Sequence, residues 1–156
     1  MAPQSCRNVV FATISTVAFY AGIAAPGNEC KPISGMIVPA CNAAICNQGS
    51  FTGDLAGSFT SKVTSIYPTK SGWTFTAWTR IALNKGKGVV ETRDAGTASF
   101  DSNGGPDLSK STVMLTITEA TGAYQDSTGE VVIVGAYALG TPTPYEGRLC
   151  KPTKVD

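Results

Sequence analysis

The fold class follows from one stretch of the sequence, Trp73-Thr74-Phe75-Thr76-Ala77-Trp78-Thr79-Arg80-Ile81-Ala82-Leu83. Successive side chains of a β-strand point to opposite faces of its sheet, so alternate residues of this stretch share a face. One face is then largely apolar and consists of Trp73, Phe75, Ala77, Thr79, Ile81 and Leu83. The other face holds Thr74, Thr76, Trp78, Arg80 and Ala82. The alternation predicts a long β-strand with one buried face.

Similar strand patterns extend outward from this stretch in both directions. They occupy residues 50–67, 89–100, 109–121, 123–126, 130–139 and 143–150. In the first of them, one side is assigned to Phe51, Gly53, Leu55, Gly57, Phe59, Ser61, Val63, Ser65 and Tyr67. No window shows the 3.6-residue stripe of an amphipathic helix, and Gly-rich turns separate the strands. Long antiparallel strands of this kind are typical of small closed barrels.

The amino-terminal third has a different character. Residues 9–25 are apolar and rich in β-branched and aromatic side chains, which predicts a further strand, with a secretory leader as the alternative. Residues 26–47 contain Pro26, Gly27, Pro32, Gly35 and Pro39. We therefore predict a long irregular segment there. The complete prediction is one all-β domain over residues 1–156, an eight-stranded antiparallel closed β-barrel with a long irregular N-terminal segment.

Composition narrows the possible functions. Of 156 residues, 42% are hydrophobic and 15% are charged, and the net charge is +1. We expect no nucleic-acid partner, because such proteins usually carry a basic face. Histidine is absent from the chain, which excludes His-based catalytic triads and His-containing metal sites. Residues 9–25 are too short and too polar for a transmembrane helix, so we also expect no membrane span.

The cysteines indicate disulfide bonds and therefore an oxidising compartment, such as that of a secreted protein. There are five of them, Cys6, Cys30, Cys41, Cys46 and Cys150. A Cys6–Cys150 pair would join the chain ends if the first and last strands are neighbours, and Cys41 would then pair locally with Cys46. Pairing of Cys30 with Cys41 or Cys46 is equally permitted. A Cys-only zinc site and free thiols in a cytoplasmic protein are the alternatives.

Several segments resemble sequences of the allene oxide cyclase and dirigent β-barrel superfamily. The most characteristic is Thr121-Gly122-Ala123-Tyr124, followed by Gly129 and the alternating Val131, Ile133 and Gly135. The others are Phe51-Thr52-Gly53-Asp54-Leu55-Ala56-Gly57, Gly88-Val89-Val90-Glu91-Thr92-Arg93-Asp94-Ala95-Gly96 and Tyr145-Glu146-Gly147-Arg148-Leu149-Cys150. The resemblance implies an eight-stranded antiparallel barrel with an apolar cavity.

The resemblance also implies a function. Members of this superfamily hold a reactive hydrophobic substrate in one conformation and direct a stereospecific ring closure or coupling, and some pericyclases have similar barrels. We therefore expect a cyclase or isomerase that acts on a small hydrophobic molecule and needs neither a metal nor an organic cofactor. Such catalysis depends on shape and a few polar groups, so the absence of histidine is no obstacle.

The candidate catalytic residues are Glu91, Glu119 and Tyr124. Glu91 shares a strand face with Arg93, whereas Asp94 lies on the opposite face with Val90 and Thr92, and one of these sets should point inward. A carboxylate at a barrel mouth, such as that of Glu119, acts as an acid or base if burial raises its pKa. The hydroxyl of Tyr124 is suited to bind a substrate carbonyl. The alternatives are a solvated exterior for both glutamates and simple packing for the tyrosine.

The candidate substrate-binding residues are Trp73, Trp78, Arg80, Tyr67 and Tyr137. Trp78 and Arg80 share a face, and a guanidinium stacked on an indole is suited to line a pocket. The alternative function is a non-enzymatic secreted barrel that binds a hydrophobic ligand or a surface partner, with homo-oligomers compatible with either function. Polar groups that converge inside the cavity would favour an enzyme, whereas polar groups only at the mouth would favour a carrier.

Overall fold

Eight β-strands form nearly all of the regular structure in the computed structural model, which describes residues 28–40, 47–135 and 141–152. The strands are β1 (Asn28–Pro39), β2 (Gln48–Phe51), β3 (Gly57–Pro68), β4 (Gly72–Leu83), β5 (Val89–Phe100), β6 (Pro106–Ala120), β7 (Thr128–Gly135) and β8 (Thr143–Pro152). Some of the strands are connected by single 3-10 turns, which lie at Gly53–Leu55, Asn84–Gly86 and Gly122–Tyr124. No helix in this part of the chain is both long and apolar enough to cross a membrane.

The strands belong to one antiparallel sheet whose pairing closes into a ring. Each strand pairs with the next along the chain, and β1 pairs with β8 from Asn28 opposite Pro152 to Ile37 opposite Thr143. Every strand therefore has a hydrogen-bonded neighbour on both sides along at least part of its length. The prediction of an all-β antiparallel fold is confirmed.

The hydrophobic core lies on the inner face of the closed sheet, as alternation predicts. On β4, Ala77, Thr79, Ile81 and Leu83 are buried, whereas Thr76, Arg80 and Ala82 are exposed. Other inward side chains with almost no exposed surface are Ile37, Phe51, Leu55, Phe59, Val90, Val131, Ile133 and Tyr145. The prediction for residues 73–83 is therefore confirmed in both its extent and its faces.

The prediction of an irregular segment over residues 26–47 is wrong for residues 28–39, which form β1. Prolines are tolerated in a strand where the missing N–H would not have joined the ladder. The backbone N–H groups of Ser34 and Met36 point away from β8, toward Asp54 and Thr52. Pro32 lies two residues before Ser34 on the same strand, so its nitrogen also points away from β8. Residues 9–25, predicted as a strand with a leader as the alternative, lie outside the described residues.

The strand predicted over residues 50–67 is interrupted at residues 52–56, where the prediction is wrong; residues 50–51 belong to β2 and residues 57–67 to β3. Gly53 has φ +70°, a left-handed conformation, and a Cβ at this position would lie 2.2 Å from the Ser34 carbonyl oxygen. The chain therefore turns between β2 and β3. Residues 123–126 are likewise not a strand, because the Gly122–Tyr124 turn begins with φ +63° at Gly122.

A β-bulge in β3 changes which side chains point inward. Val63 lies opposite Ala77 and Ser65 opposite Thr76, so Thr64 is one extra residue on β3. An extra residue reverses the alternation beyond it. Ile66 consequently points into the interior, and Tyr67 points outward.

The disulfide joins Cys30 to Cys150, which are register partners on β1 and β8. The predicted pairing of Cys150 with Cys6 is therefore wrong, as is the pairing of Cys30 with Cys41 or Cys46. Because β1 is formed by residues that the sequence analysis treated as irregular, Cys30 rather than Cys6 lies beside the last strand. Cys6, Cys41 and Cys46 lie outside the described residues.

Candidate functional site

A small cavity lies inside the closed sheet, among inward side chains of β2 to β6. Its volume is about 40 Å³, enough for one or two water molecules. The apolar side chains that line it include Phe51, Val63, Ile66, Trp73, Phe75, Ala77, Pro106, Val113 and Leu115. The polar side chains are Ser61, Thr79, Asp94 and Ser111. We refer to this space as the interior cavity.

Asp94 is the one carboxylate among the residues that line the interior cavity. Its side chain projects from β5 toward the inside, and only 6% of its surface is exposed. The Thr79 hydroxyl donates to Asp94 Oδ2 over 2.5 Å, and the Thr92 hydroxyl donates to Oδ1 over 2.5 Å. Both carboxyl oxygens are therefore hydrogen-bonded by neighbouring strands β4 and β5.

These hydroxyls belong to a longer hydrogen-bond network. Thr79 Oγ1 lies 2.9 Å from Ser61 Oγ, and Thr92 Oγ1 lies 3.4 Å from the Thr79 carbonyl oxygen. A hydroxyl has only one proton to donate. When Asp94 is ionised, both threonines donate to it; when it is neutral, they are free to donate to Ser61 and the carbonyl instead. The network satisfies either protonation state.

Burial decides which state Asp94 prefers. Removal of the carboxylate from water raises its pKa above the ordinary 3.8, and this effect exceeds the opposing effects of the two threonine hydroxyls and of the Arg93 charge. The register partners of Asp94 are Ala77 and Leu115, both apolar. The neutral acid is therefore more accessible to Asp94 than it is to an exposed aspartate.

Sequence reasoning placed Asp94 on the correct face with Val90 and Thr92, but it selected Glu91 as the candidate catalytic residue. The structure shows which set points inward: Val90, Thr92 and Asp94 are buried, whereas Arg93 is exposed. A signal was present in the sequence, because one face carries two charged residues, Glu91 and Arg93, and the other only one. The more charged face is the one expected in water.

Glu91 and Glu119 lie together on the outer face of the sheet. They are register partners on β5 and β6, and neither lines the interior cavity. Arg80 Nη1 contacts Glu91 Oε1 at 2.5 Å, so the guanidinium forms an ion pair. An exposed ion pair of this kind is typical of a solvated sheet surface.

Tyr124 lies in the turn between β6 and β7, and it does not line the interior cavity. Its hydroxyl donates to the Asp54 carbonyl oxygen over 2.7 Å, and Lys151 Nζ lies 5.8 Å from the ring centroid. Burial, and secondarily the Asp54 charge, raises the pKa of the Tyr124 hydroxyl. The structure therefore brings together Glu91 and Glu119, but it does not join them with Tyr124 around the interior cavity.

The candidate binding residues divide between the two faces. Trp73 lines the interior cavity, and its Nε1 donates to the Gly104 carbonyl oxygen over 3.3 Å. Trp78 and Arg80 occupy the outer face of β4. Tyr67 is 63% exposed on the outside, because the bulge at Thr64 reverses its orientation. Tyr137 lies outside the described residues.

No protein-family model matches the chain, and neither a search of curated proteins nor one of solved structures finds a match.

Proposed function

We propose that the protein is a small secreted β-barrel cyclase or isomerase that binds a hydrophobic metabolite inside the closed sheet and directs a stereospecific ring closure. The resemblance to the allene oxide cyclase and dirigent superfamily supports this proposal, which includes pericyclic reactions and requires no cofactor. The Cys30–Cys150 disulfide supports an oxidising compartment.

The observation that carries the proposal is the position of the polar groups. Ser61, Thr79 and Asp94 meet within a cavity whose other lining side chains are apolar except for Ser111. Thr79 and Asp94 are buried instead of being confined to its rim. A preorganised donor in an apolar site stabilises negative charge that develops on a substrate oxygen. In the proposed reaction, Asp94 supplies that donor, and the aromatic walls hold the substrate in one conformation.

The size of the interior cavity sets a condition on this proposal. Ligand pockets usually have volumes of about 300 to 1,000 Å³, and this cavity has about 40 Å³. A metabolite must therefore displace side chains as it enters. Ile66, Trp73 and Pro106 lie at the ends of β3, β4 and β6, where such movement requires the least disruption of the core.

A non-enzymatic carrier of a hydrophobic ligand is the second candidate. The observation that favours it is the largely apolar lining, in which aromatic and aliphatic side chains outnumber polar ones. A carrier would retain its ligand unchanged, whereas a cyclase would release a product of different structure.

The test is to incubate the protein with an organic extract of its source and to identify retained molecules by native mass spectrometry. Chiral chromatography then shows whether a retained compound becomes a single cyclised stereoisomer. D94L should lower the rate by about 100-fold, because it removes the donor from the site. D126N is the matched control, since Asp126 is exposed and has φ +59°, which asparagine tolerates.

The same assay tests the residues selected from the sequence. The catalytic roles of Glu91, Glu119 and Tyr124 stay predictions, examined with E91Q, E119Q and Y124F. Loss of product in these variants together with full activity in D94L would place the reaction outside the interior cavity. A ligand retained without conversion by the wild type would favour the carrier.

A further inference from the structure

We propose that Ser61, Thr79 and Asp94 form a binding site for one uncharged acceptor oxygen, a carbonyl or ether, on an otherwise apolar ligand. This inference deepens the proposed function and rests on it, because it defines the substrate class that the same cavity would accept. Asp94 is the donor in this site, and the two hydroxyls adjust their orientation around it.

The side chains that face Asp94 are uncharged. From β4, Ala77 and Thr79 face it, and from β6, Leu115. Ser61 on β3 contacts the Thr79 hydroxyl. None of these residues carries a charge. Arg93, the nearest cation in sequence, is exposed on the outer face of β5. Within the described chain, therefore, no ammonium or guanidinium group lines the interior cavity to neutralise an ionised Asp94.

A protonated Asp94 has a hydrogen atom to donate to a ligand. Desolvation raises the pKa of Asp94, so the carboxyl group carries a proton over a wider pH range than an exposed aspartate does. Thr92 satisfies Oδ1 by donating to it, and the Thr79 hydroxyl can turn from Oδ2 to Ser61 Oγ, which lies 2.9 Å away. The proton on Oδ2 is then available to a ligand oxygen without leaving any of these groups unpaired.

A neutral ligand oxygen suits this site better than a charged group does. An anion would meet the partial negative charges of Asp94 and the hydroxyl oxygens in an apolar cavity. A cation would require the ionised carboxylate that burial disfavours. A neutral oxygen acceptor avoids both costs. Since the cavity has about 40 Å³, the group bearing that oxygen occupies the existing space, and the hydrocarbon part displaces Ile66 and Trp73 in the cavity lining.

Three small probes of similar shape test the inference: cyclohexanone, methylenecyclohexane and the cyclohexylammonium ion. Binding is followed by ¹⁵N-resolved NMR titration of the full chain, with the Thr79 and Asp94 amides and the Trp73 indole N–H as reporters. The chain has two tryptophans, and Trp78 on the outer face serves as an internal control that should not shift. Cyclohexanone should bind about tenfold more tightly than methylenecyclohexane, as expected for one hydrogen bond.

The dependence on pH separates a ligand-binding role from a structural one. Ketone affinity should fall as the pH rises through the pKa of Asp94, because the ionised group has no proton to donate. In D94N the preference for the ketone should persist without that pH dependence, since the amide still donates. In D94L the preference should disappear. D126N should behave like the wild type, and circular dichroism shows whether each variant is folded.

Three outcomes would overturn the inference: equal affinity for the ketone and the hydrocarbon, tighter binding of the ammonium ion, or no shift of the reporters with the ketone. Because the titration measures binding without turnover, its result is independent of whether a ring closure occurs. If the wild type forms no cyclised product in the extract assay but still prefers the ketone in the titration, the proposed function alone is rejected.

Discussion

A single residue, Asp94, sets the chemical character of the interior. A buried carboxylate without a neutralising cation is costly when ionised, and the two threonine hydroxyls offset only part of that cost. Burial therefore raises the pKa of Asp94 above its ordinary value of 3.8. The face that holds Asp94 could be assigned from the alternation of β5, and the only signal for its inward direction was that the opposite face carries two charged residues, Glu91 and Arg93, instead of one.

The raised pKa of Asp94 predicts how stability depends on pH. From the ordinary value of 3.8 up to the folded-state pKa, the folded protein binds more protons at Asp94 than the unfolded chain does. The contribution of Asp94 to the free energy of unfolding is therefore greatest below 3.8 and falls as the pH rises through that window. D94N removes this dependence. Over this pH window, the free energy of unfolding of the wild type should fall relative to that of D94N by about 1.4 kcal/mol for each unit by which the pKa of Asp94 is raised.

Urea unfolding of the wild type and D94N at a series of pH values measures this loss. As the pH rises, the free energy of unfolding of the wild type should fall relative to that of D94N. The difference between the two proteins should become constant above the folded-state pKa of Asp94. D126N provides the control, because Asp126 is exposed. A wild-type-to-D94N difference that is the same at every pH would show that Asp94 titrates normally.

The side chain of Tyr145 on β8 forms hydrogen bonds that hold the short turn Gly53–Leu55 against this strand. This side chain is 1% exposed, and its hydroxyl accepts from the Leu55 N–H over 3.0 Å and donates to the Thr52 carbonyl oxygen over 2.8 Å. The ring packs edge-on against Phe51. One phenol group therefore joins the last strand to the connection between β2 and β3.

Y145F should destabilise the protein by about 2 kcal/mol, because it leaves two backbone groups without their partner. The aromatic packing against Phe51 is retained, so the loss isolates the hydroxyl. Y124F is the matched control: that hydroxyl makes one bond, to Asp54, at a less buried position, and its loss should cost less. Chemical denaturation of both variants provides the measurement, and a Y145F cost no larger than that of Y124F would contradict this role.

Some elements could be predicted from the sequence and others could not, for physical reasons. The β4 strand follows from unbroken alternation over residues 73–83. The β1 strand was missed because Pro32 and Pro39 usually interrupt strands, and only the pairing shows that Pro32 directs its nitrogen away from β8. The orientation of Tyr67 depends on Thr64, an extra residue that is recognised only from its partners on β4.

For the molecule as a whole, closure of the sheet depends on the pairing of its first and last described strands. The alternating strands and the Gly-rich turns were sufficient to predict an antiparallel all-β fold. The spacing of five cysteines was not sufficient to identify the partner of Cys150, since that depends on which segment lies beside β8. The Cys30–Cys150 bond joins the two strands at one end of their ladder.

Removal of this disulfide in C30S/C150S should lower the free energy of unfolding by about 3 to 5 kcal/mol, because the bond closes a long loop. The sequence separation of the two cysteines is 120 residues. Guanidinium denaturation without reductant measures the loss. C6S is the control, since Cys6 is the residue that the sequence analysis paired with Cys150, and it should cost less. An equal loss in C6S would indicate that Cys150 exchanges partners.

The bulge at Thr64 also decides which side chain of β3 forms the wall of the cavity. With Thr64 left out of the ladder, Ile66 lies opposite Phe75 and faces the interior, and deletion of Thr64 would leave that pairing unchanged. A regular ladder that included Thr64 would instead exchange the aliphatic side chain of Ile66 for the phenol of Tyr67. A slip of one residue in pairing, with no change of sequence, is thus enough to change the chemistry of the cavity wall.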